Sequence, residues 1–275
     1  MDKNISDISL VLVTKYSSGS LTLCLDTLFR NSVLSHELII VADNPSWQVL
    51  KVLQDKQMDY CLVKTGHFFR NCNIGAEKAT RNYVGFVNDD VVFGPQWDVS
   101  LQKYIDAHKN KQRLISSNLV IPGKMCFGYD PSKEISTFNL SEFEEFAKKS
   151  LTREDIQSFF WMPLLIPRHL FNKYGGFTTF SSHGHGHENV LENILVKKEN
   201  LKVRTVMSST LFHFGALSNT DNMHPKYMYY CPGYFKCSLC GKEEEGIFND
   251  ADSGVEIDKL RNGDRWVCFN CRSRT

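Results

Sequence analysis

Apolar residues arrive in short runs that alternate with helical spacings through most of the chain. "DISLVLVT" is nearly unbroken in apolar character and is followed by the polar "KYSSGS", which predicts a buried strand and then a loop. Leu21, Cys24, Leu25, Leu28 and Phe29 then recur at helical spacing, with Ser20 as the expected N-cap. "HELIIVADNPS" predicts a second strand ending in a polar turn, "WQVLKVLQDK" a helix, "DYCLVKTG" a third strand, "NIGAEKATRN" a short helix and "YVGFVNDD" a fourth strand. Strands alternating with helices imply βαβ units and an α/β sheet. Ligands of such sheets bind outside the carboxyl ends of the strands. Asp43, Asp89, Asp90 and the loop "TKYSSGS" all fall at such ends.

The pattern continues with a helix in "QWDVSLQKYIDAHKN" and a strand in "RLISSNLVI". Residues 122–155 are mixed and polar, with "SEFEEFAKKS" expected as a surface helix. "SFFWMPLLIPRHLFNKYGGF" reads as an apolar segment, a Pro-initiated helical turn and a Gly-Gly stop. "HENVLENILVKKEN" predicts a helix and "KVRTVMSSTLFHFG" a strand. Past Cys231 the periodicity weakens, charges cluster and cysteines pair, so residues 1–230 are expected as the main domain and 231–275 as an appendage.

Composition narrows the class. The 275 residues are 42% hydrophobic, enough for a sizeable core, and the net charge of +1 provides no global field for nucleic acid or an anionic membrane. No apolar run approaches the length of a membrane span, and the acidic start "MDKNISD" lacks a signal-peptide pattern, so a soluble cytoplasmic protein is expected.

Four of the nine cysteines make the spacing C-x2-C-x27-C-x2-C through Cys237, Cys240, Cys268 and Cys271. Paired thiolate knuckles point to a tetrahedral structural Zn2+ in a zinc-ribbon-like module, since a module of this size buries too little core to fold unaided. "KEEEGIFNDADSG" between the knuckles reads as a solvated loop or hairpin tip. Seven Lys or Arg against eight Asp or Glu in residues 231–275 give nucleic-acid binding little electrostatic support.

The adjacent carboxylates of "GFVNDDVVFGP" repel one another and are costly to bury unpaired. They mark either an exposed turn or a place where a cation sits. "SHGHGHE" offers His183, His185 and His187 at alternate positions, readable as a glycine-rich loop or as a metal tract, and His213 lies in an apolar strand where core burial is the ordinary reading.

Four stretches in this order resemble a family-2 glycosyltransferase of the nucleotide-diphospho-sugar (GT-A) fold. They are "LVLVTKYSSGSLTLCLDTL" with "ELIIVADNPS", then "RNCNIGAEKATRNYVGFVNDDVVFGPQW", then "LLIPRHLFNKYGGF", and finally "GHGHENVLENILVKKENLKVRTV" with "LFHFGALS". The resemblance implies a Rossmann-like, mixed but mostly parallel sheet flanked by helices. It also implies an inverting, metal-dependent transfer of a sugar from a nucleoside-diphosphate donor to an acceptor hydroxyl, with Mn2+ or Mg2+ as cofactor. By the same resemblance Asp43, Thr14, Tyr16, Ser17, Asn73 and Asp89 contact the donor. Asp90 binds the metal with His213 as a further contact, and Glu188 acts near the acceptor. The chain departs from the pattern at Asn88, where the family has Asp, and at Asn189, where the family has the second acid of a Glu-Asp pair. Asn cannot take a proton, so the base is Glu188, another carboxylate or absent, and Glu188 is the expected one. The acceptor is unspecified: a glycan, a lipid-linked glycan or a modified nucleic acid. The rival expectation is a non-catalytic protein of this fold that uses the cysteine module to hold a partner.

Overall fold

The computed structural model describes residues 4–109, 111–121, 134–156, 163–179, 187–215, 230–236 and 243–249; at 187–190, 193, 230–236 and 243–249 it describes the backbone alone. The first apolar run is a central strand. β1 (Ile5–Thr14) pairs in parallel with β2 (Ser35–Asp43) on one side and β4 (Tyr83–Asn88) on the other, and β3 (Tyr60–Val63) continues the sheet beyond β2. A strand flanked on both sides and covered on both faces is apolar on both, and Leu10, Val11 and Leu12 are fully buried.

Between these strands run α1 (Ser18–Asn31), α2 (Trp47–Asp55) and α3 (Phe68–Ala76). Two boundaries differ from the sequence reading. The N-cap of α1 is Ser17, whose side chain accepts from Ser20 N; Ser20 is already inside the helix and buried. The third helix starts upstream of "NIGAEKATRN" and ends at Ala76 within it, because the His67 ring caps it by accepting from Arg70 N at 3.4 Å and Phe69, Cys72 and Ala76 lie on its buried face. Gly75 lets α3 sit hard against β1, since a Cβ there would lie 2.3 Å from Val11 Cγ1.

The remaining elements are β5 (Val91–Phe93), α4 (Trp97–Ala107), β6 (Arg113–Val120), α5 (Leu140–Ser150), β7 (Leu164–Pro167), α6 (Arg168–Lys173), α7 (His187–Glu199) and β8 (Lys202–His213). The eight-stranded sheet has the order β3-β2-β1-β4-β7-β6-β8-β5. β7 is antiparallel to both β4 and β6, and β5 is antiparallel to β8, so the sheet is mixed and mostly parallel. β5, which the sequence reading did not separate as a strand, follows directly on the acidic turn. One apolar cluster, with Leu21, Leu25, Trp97 and Leu101, packs under α1, α2 and α4; a second, with Phe69, Phe86, Phe171, Phe177, Leu191 and Leu195, packs under α3, α6 and α7.

Near the C-terminus β9 (Tyr230–Lys236) and β10 (Glu243–Asn249) pair antiparallel, with Cys231 opposite Phe248 and Lys236 opposite Glu243. The start of "KEEEGIFNDADSG" is therefore strand where a loop or hairpin tip was expected, since its Glu and Ile residues have a partner strand to pair with. Cys237, Cys240, Cys268 and Cys271 lie outside the described residues, as do His183 and His185. Among the described residues no helix is long and apolar enough to cross a membrane.

Candidate active site

The acidic turn closes β4 at the middle of the sheet, where β1, β4 and β8 end together. Thr14 at the end of β1 donates its hydroxyl to Asp89 Oδ2 at 2.6 Å. Asp90 is 7% exposed, its backbone carbonyl accepts from Phe214 N at 3.2 Å, and Val91 pairs with His213 across β5 and β8. These backbone ties carry the end of β8 onto the turn, so His213, more than a hundred positions downstream, becomes its neighbour.

His213 Nε2 lies 3.0 Å from Asp90 Oδ1 and 3.2 Å from the Asn88 amide nitrogen. If the amide donates to Nε2, that nitrogen is an acceptor with the ring proton on Nδ1, and it then faces a carboxylate oxygen that is also an acceptor. Asp90 Oδ1 and Asn88 Oδ1 are in fact buried without a hydrogen-bond partner. Buried acceptors facing one another are costly unless a cation or donor lies among them. Two neighbouring ligands of an octahedral ion at roughly 2.1 Å stand about 3.0 Å apart, so the Asp90–His213 separation fits that geometry. Among the described residues no three His, Cys, Asp or Glu side chains are gathered as a metal cage. A divalent ion here would take its remaining ligands from phosphate and water, the usual arrangement for Mg2+.

Desolvation dominates the electrostatics of the turn. It pushes the Asp89 carboxyl up to about 6, with Asp90 adding and the Thr14 hydroxyl opposing. Cys24, fully buried with Sγ 3.7 Å from the Asn88 carbonyl, has its thiol pushed up by burial and then by Asp89 and Asp90. A neutral thiol beneath the turn adds no third negative charge.

The donor-binding candidates divide into two groups. Tyr16 is 56% exposed beside the site, with Lys15 Nζ 4.6 Å from its ring centre, and Ser46 N donates to Lys15 O at 3.0 Å, joining the loops after β1 and β2. Ser17 is committed to capping α1. Asp43 is 3% exposed at the end of β2, and its carboxylate accepts from Thr65 N at 3.0 Å, Gly66 N at 3.3 Å and Asn71 Nδ2 at 3.0 Å. It shapes the loop after β3, a role for Thr65 and Asn71 that the sequence reading missed. No local pattern signals it, because partners 22 to 28 positions away meet only in the folded sheet.

Asn73 stands apart. Its amide donates to Phe177 O at 2.8 Å and accepts from Phe177 N at 2.9 Å, so both ends clamp the Gly-Gly-Phe turn to α3. Gly176 at φ +75° turns the chain there, and a Cβ on it would lie 2.6 Å from the Asn73 oxygen. Glu188 falls in the first turn of α7, and its side chain lies outside the described residues. One turn further along the same helix, burial raises the Glu192 carboxyl to about 7.

The glycosyl transferase family 2 model matches residues 9–174, which include the loop after β1, Asp43 and the whole acidic turn. The chain belongs to that family. This family member resembles in fold the crystal structure of S. aureus TarS 1–349, with 12% identity and a TM-score of 0.53 over 75% of this chain and 60% of that one. The structure of the same TarS segment in complex with UDP gives 12% identity and a TM-score of 0.52 over 74% and 59%. The chain thus spans about three fifths of the TarS structures it resembles. No curated protein matches it significantly. The family match ends before Glu188 and His213, so only the fold brings His213 to the turn.

Proposed function

We propose that this protein is an inverting glycosyltransferase that moves a sugar from a nucleoside-diphosphate donor to an acceptor hydroxyl. The observation that carries the reading is the meeting of Asp90, His213 and Asn88 around unpartnered buried acceptors at the end of β4, inside a family 2 fold. TarS has been crystallised with UDP, which supports a nucleotide as the donor's leaving portion here. Tyr16 and the loop shaped by Asp43 receive the base, and Asp89, held by Thr14, faces the ribose or sugar. Asp90 and His213 would hold Mn2+ or Mg2+, which when bound would neutralise charge developing on the departing diphosphate. Glu188 takes the proton of the acceptor hydroxyl as its oxygen attacks the anomeric carbon from the face opposite the leaving group. The bond from that carbon to the diphosphate oxygen breaks with its electron pair, and the diphosphate leaves. Asn73 contributes by holding the Gly-Gly-Phe turn. In the same reading Cys237, Cys240, Cys268 and Cys271 bind a structural Zn2+.

The test is donor hydrolysis and nucleoside-diphosphate affinity with and without Mn2+, across a set of nucleotide sugars. Asp90→Asn is expected to abolish the metal-dependent part of the affinity while the fold survives. Unchanged metal-dependent affinity in that variant would overturn the metal assignment. A second reading, a non-catalytic protein of this fold, is favoured by Asn189. It predicts nucleotide binding with no turnover for any donor.

A further inference from the structure

The opposite end of the sheet carries a second polar site. A cavity of about 500 Å³ opens where β6 and β8 begin, lined by Lys109, Lys111, Arg113 and Lys202, with Glu199 as its one carboxylate among the described residues. Glu199 is already committed, accepting from Lys173 Nζ at 2.6 Å and Tyr174 OH at 2.5 Å, and those two donors hold its carboxyl below the usual range. Lys109 pairs with Asp106 at 3.1 Å. Among the described residues no carboxylate forms an ion pair with Lys111, Arg113 or Lys202.

The arrangement is unfavourable as it stands. Arg113 and Lys202 are direct partners in the parallel β6–β8 register, so two cations lie side by side on one ladder. Arg113 Nε and Nη1 are buried with no hydrogen-bond partner among the described residues, and the Tyr104 ring lies 5.9 Å from the guanidinium. Buried guanidinium N–H groups without acceptors are costly, and like charges in register repel. An anion in the cavity would relieve both. Three uncompensated cations suit a dianion better than a carboxylate, and the planar fork of Arg matches phosphate oxygens. Lys202 and His213 bound opposite ends of β8, on the order of 30 Å apart at ordinary strand rise, so this is not the donor site.

We infer that the cavity at the start of β6 and β8 binds a phosphate group, whether free or carried on a longer chain. The inference does not rest on the transferase reading. It is tested on the full chain, in EDTA to silence the acidic turn, by following backbone amide resonances during titration with inorganic phosphate, with a short polyphosphate and with a nucleoside diphosphate. Saturable shifts at Gln112, Arg113 and Lys202, weakened about tenfold in Arg113→Met, are expected. Since Arg113→Met can fail to fold, the exposed pair Lys111→Met with Lys202→Met carries the same expectation. Equal response to phosphate and polyphosphate makes a single phosphate group the ligand. Response to polyphosphate alone makes the ligand a chain of phosphates. Shifts confined to Thr14–Ser17 and Asn88–Asp90, or shifts at the cavity that neither variant weakens, would overturn the inference.

Discussion

The two halves of the sheet are held together by different chemistry. Around β1, β2 and β4 the interior is hydrocarbon: Leu10, Val11, Ile40, Val41, Val84 and Phe86 are all buried, and Phe86 sits 4.8 Å from Phe177 and 5.1 Å from Phe171 by ring centres. Between β6 and β8, where Leu114, Ile115, Leu119 and Leu211 are also buried, a polar ladder runs through the interior. Ser116 meets Thr205 at 2.9 Å, Ser117 meets Ser209 at 2.7 Å and Asn118 donates to Thr210 at 3.3 Å, all buried, across a register shift. Hydrocarbon packing is roughly proportional to area and tolerant of direction, whereas a buried hydroxyl pair stabilises only when both partners are present and aligned. The active-site candidates lie at the seam: Asp89 and Asp90 come from the apolar half and His213 from the polar one.

The largest effect is expected in the apolar half. Phe86→Ala leaves a cavity beside the Phe171 and Phe177 rings and should cost about 3–5 kcal/mol, read as a shift in the denaturation midpoint. A loss below about 1 kcal/mol would mean that the aromatic cluster is not the main support of that half. For the proposed base, Glu188→Gln should lower turnover by roughly a hundredfold or more with donor affinity nearly unchanged. If the larger loss instead follows Asn189→Ala, the base lies elsewhere.

In the polar half, Ser117→Ala strands the Ser209 hydroxyl and should cost about 1–3 kcal/mol, while the double change with Ser209→Ala should cost less than the two single changes summed. Strict additivity would show that the ladder has no pairwise coupling and would dissolve the contrast between the halves.

The smallest effect concerns Glu192, a carboxyl beside Leu191 and Leu195 in the apolar half. Burial sets it near 7 in the folded chain, above the ordinary 4.5. The folded state then binds the proton more tightly than the unfolded state, so stability falls as pH rises between those values and the penalty is complete above them. Glu192→Gln should leave stability nearly unchanged at pH 4 and raise it by about 1–2 kcal/mol at pH 8. A variant no more stable than the parent at pH 8 would place that carboxyl in water.

Legibility followed the same division. β1, β2 and β4 were readable because a strand buried on both faces must be an apolar run, and the alternation with helices required parallel pairing. α3 was placed too far downstream, because its cap is a histidine ring rather than a small hydroxyl or carboxylate. The short β5 stayed hidden because three apolar residues after a turn carry no period. The acidic turn stood out as chemistry, since adjacent carboxylates at a strand end are costly without a purpose. Asn73 is engaged at both ends of its amide with Phe177, a partner 104 positions away.

By itself the sequence determined the α/β class, the order of the main elements and the strand end at which charge collects, because these follow from local periodicity and from the cost of burying carboxylates. The tertiary structure alone decided that Asp90 and His213 stand 3.0 Å apart, that Asp43 shapes the loop after β3, and that Arg113 and Lys202 share a register. Each of those depends on which strands become neighbours and in which register. Strand pairing is set by the packing of the whole sheet, and no window along the chain contains it.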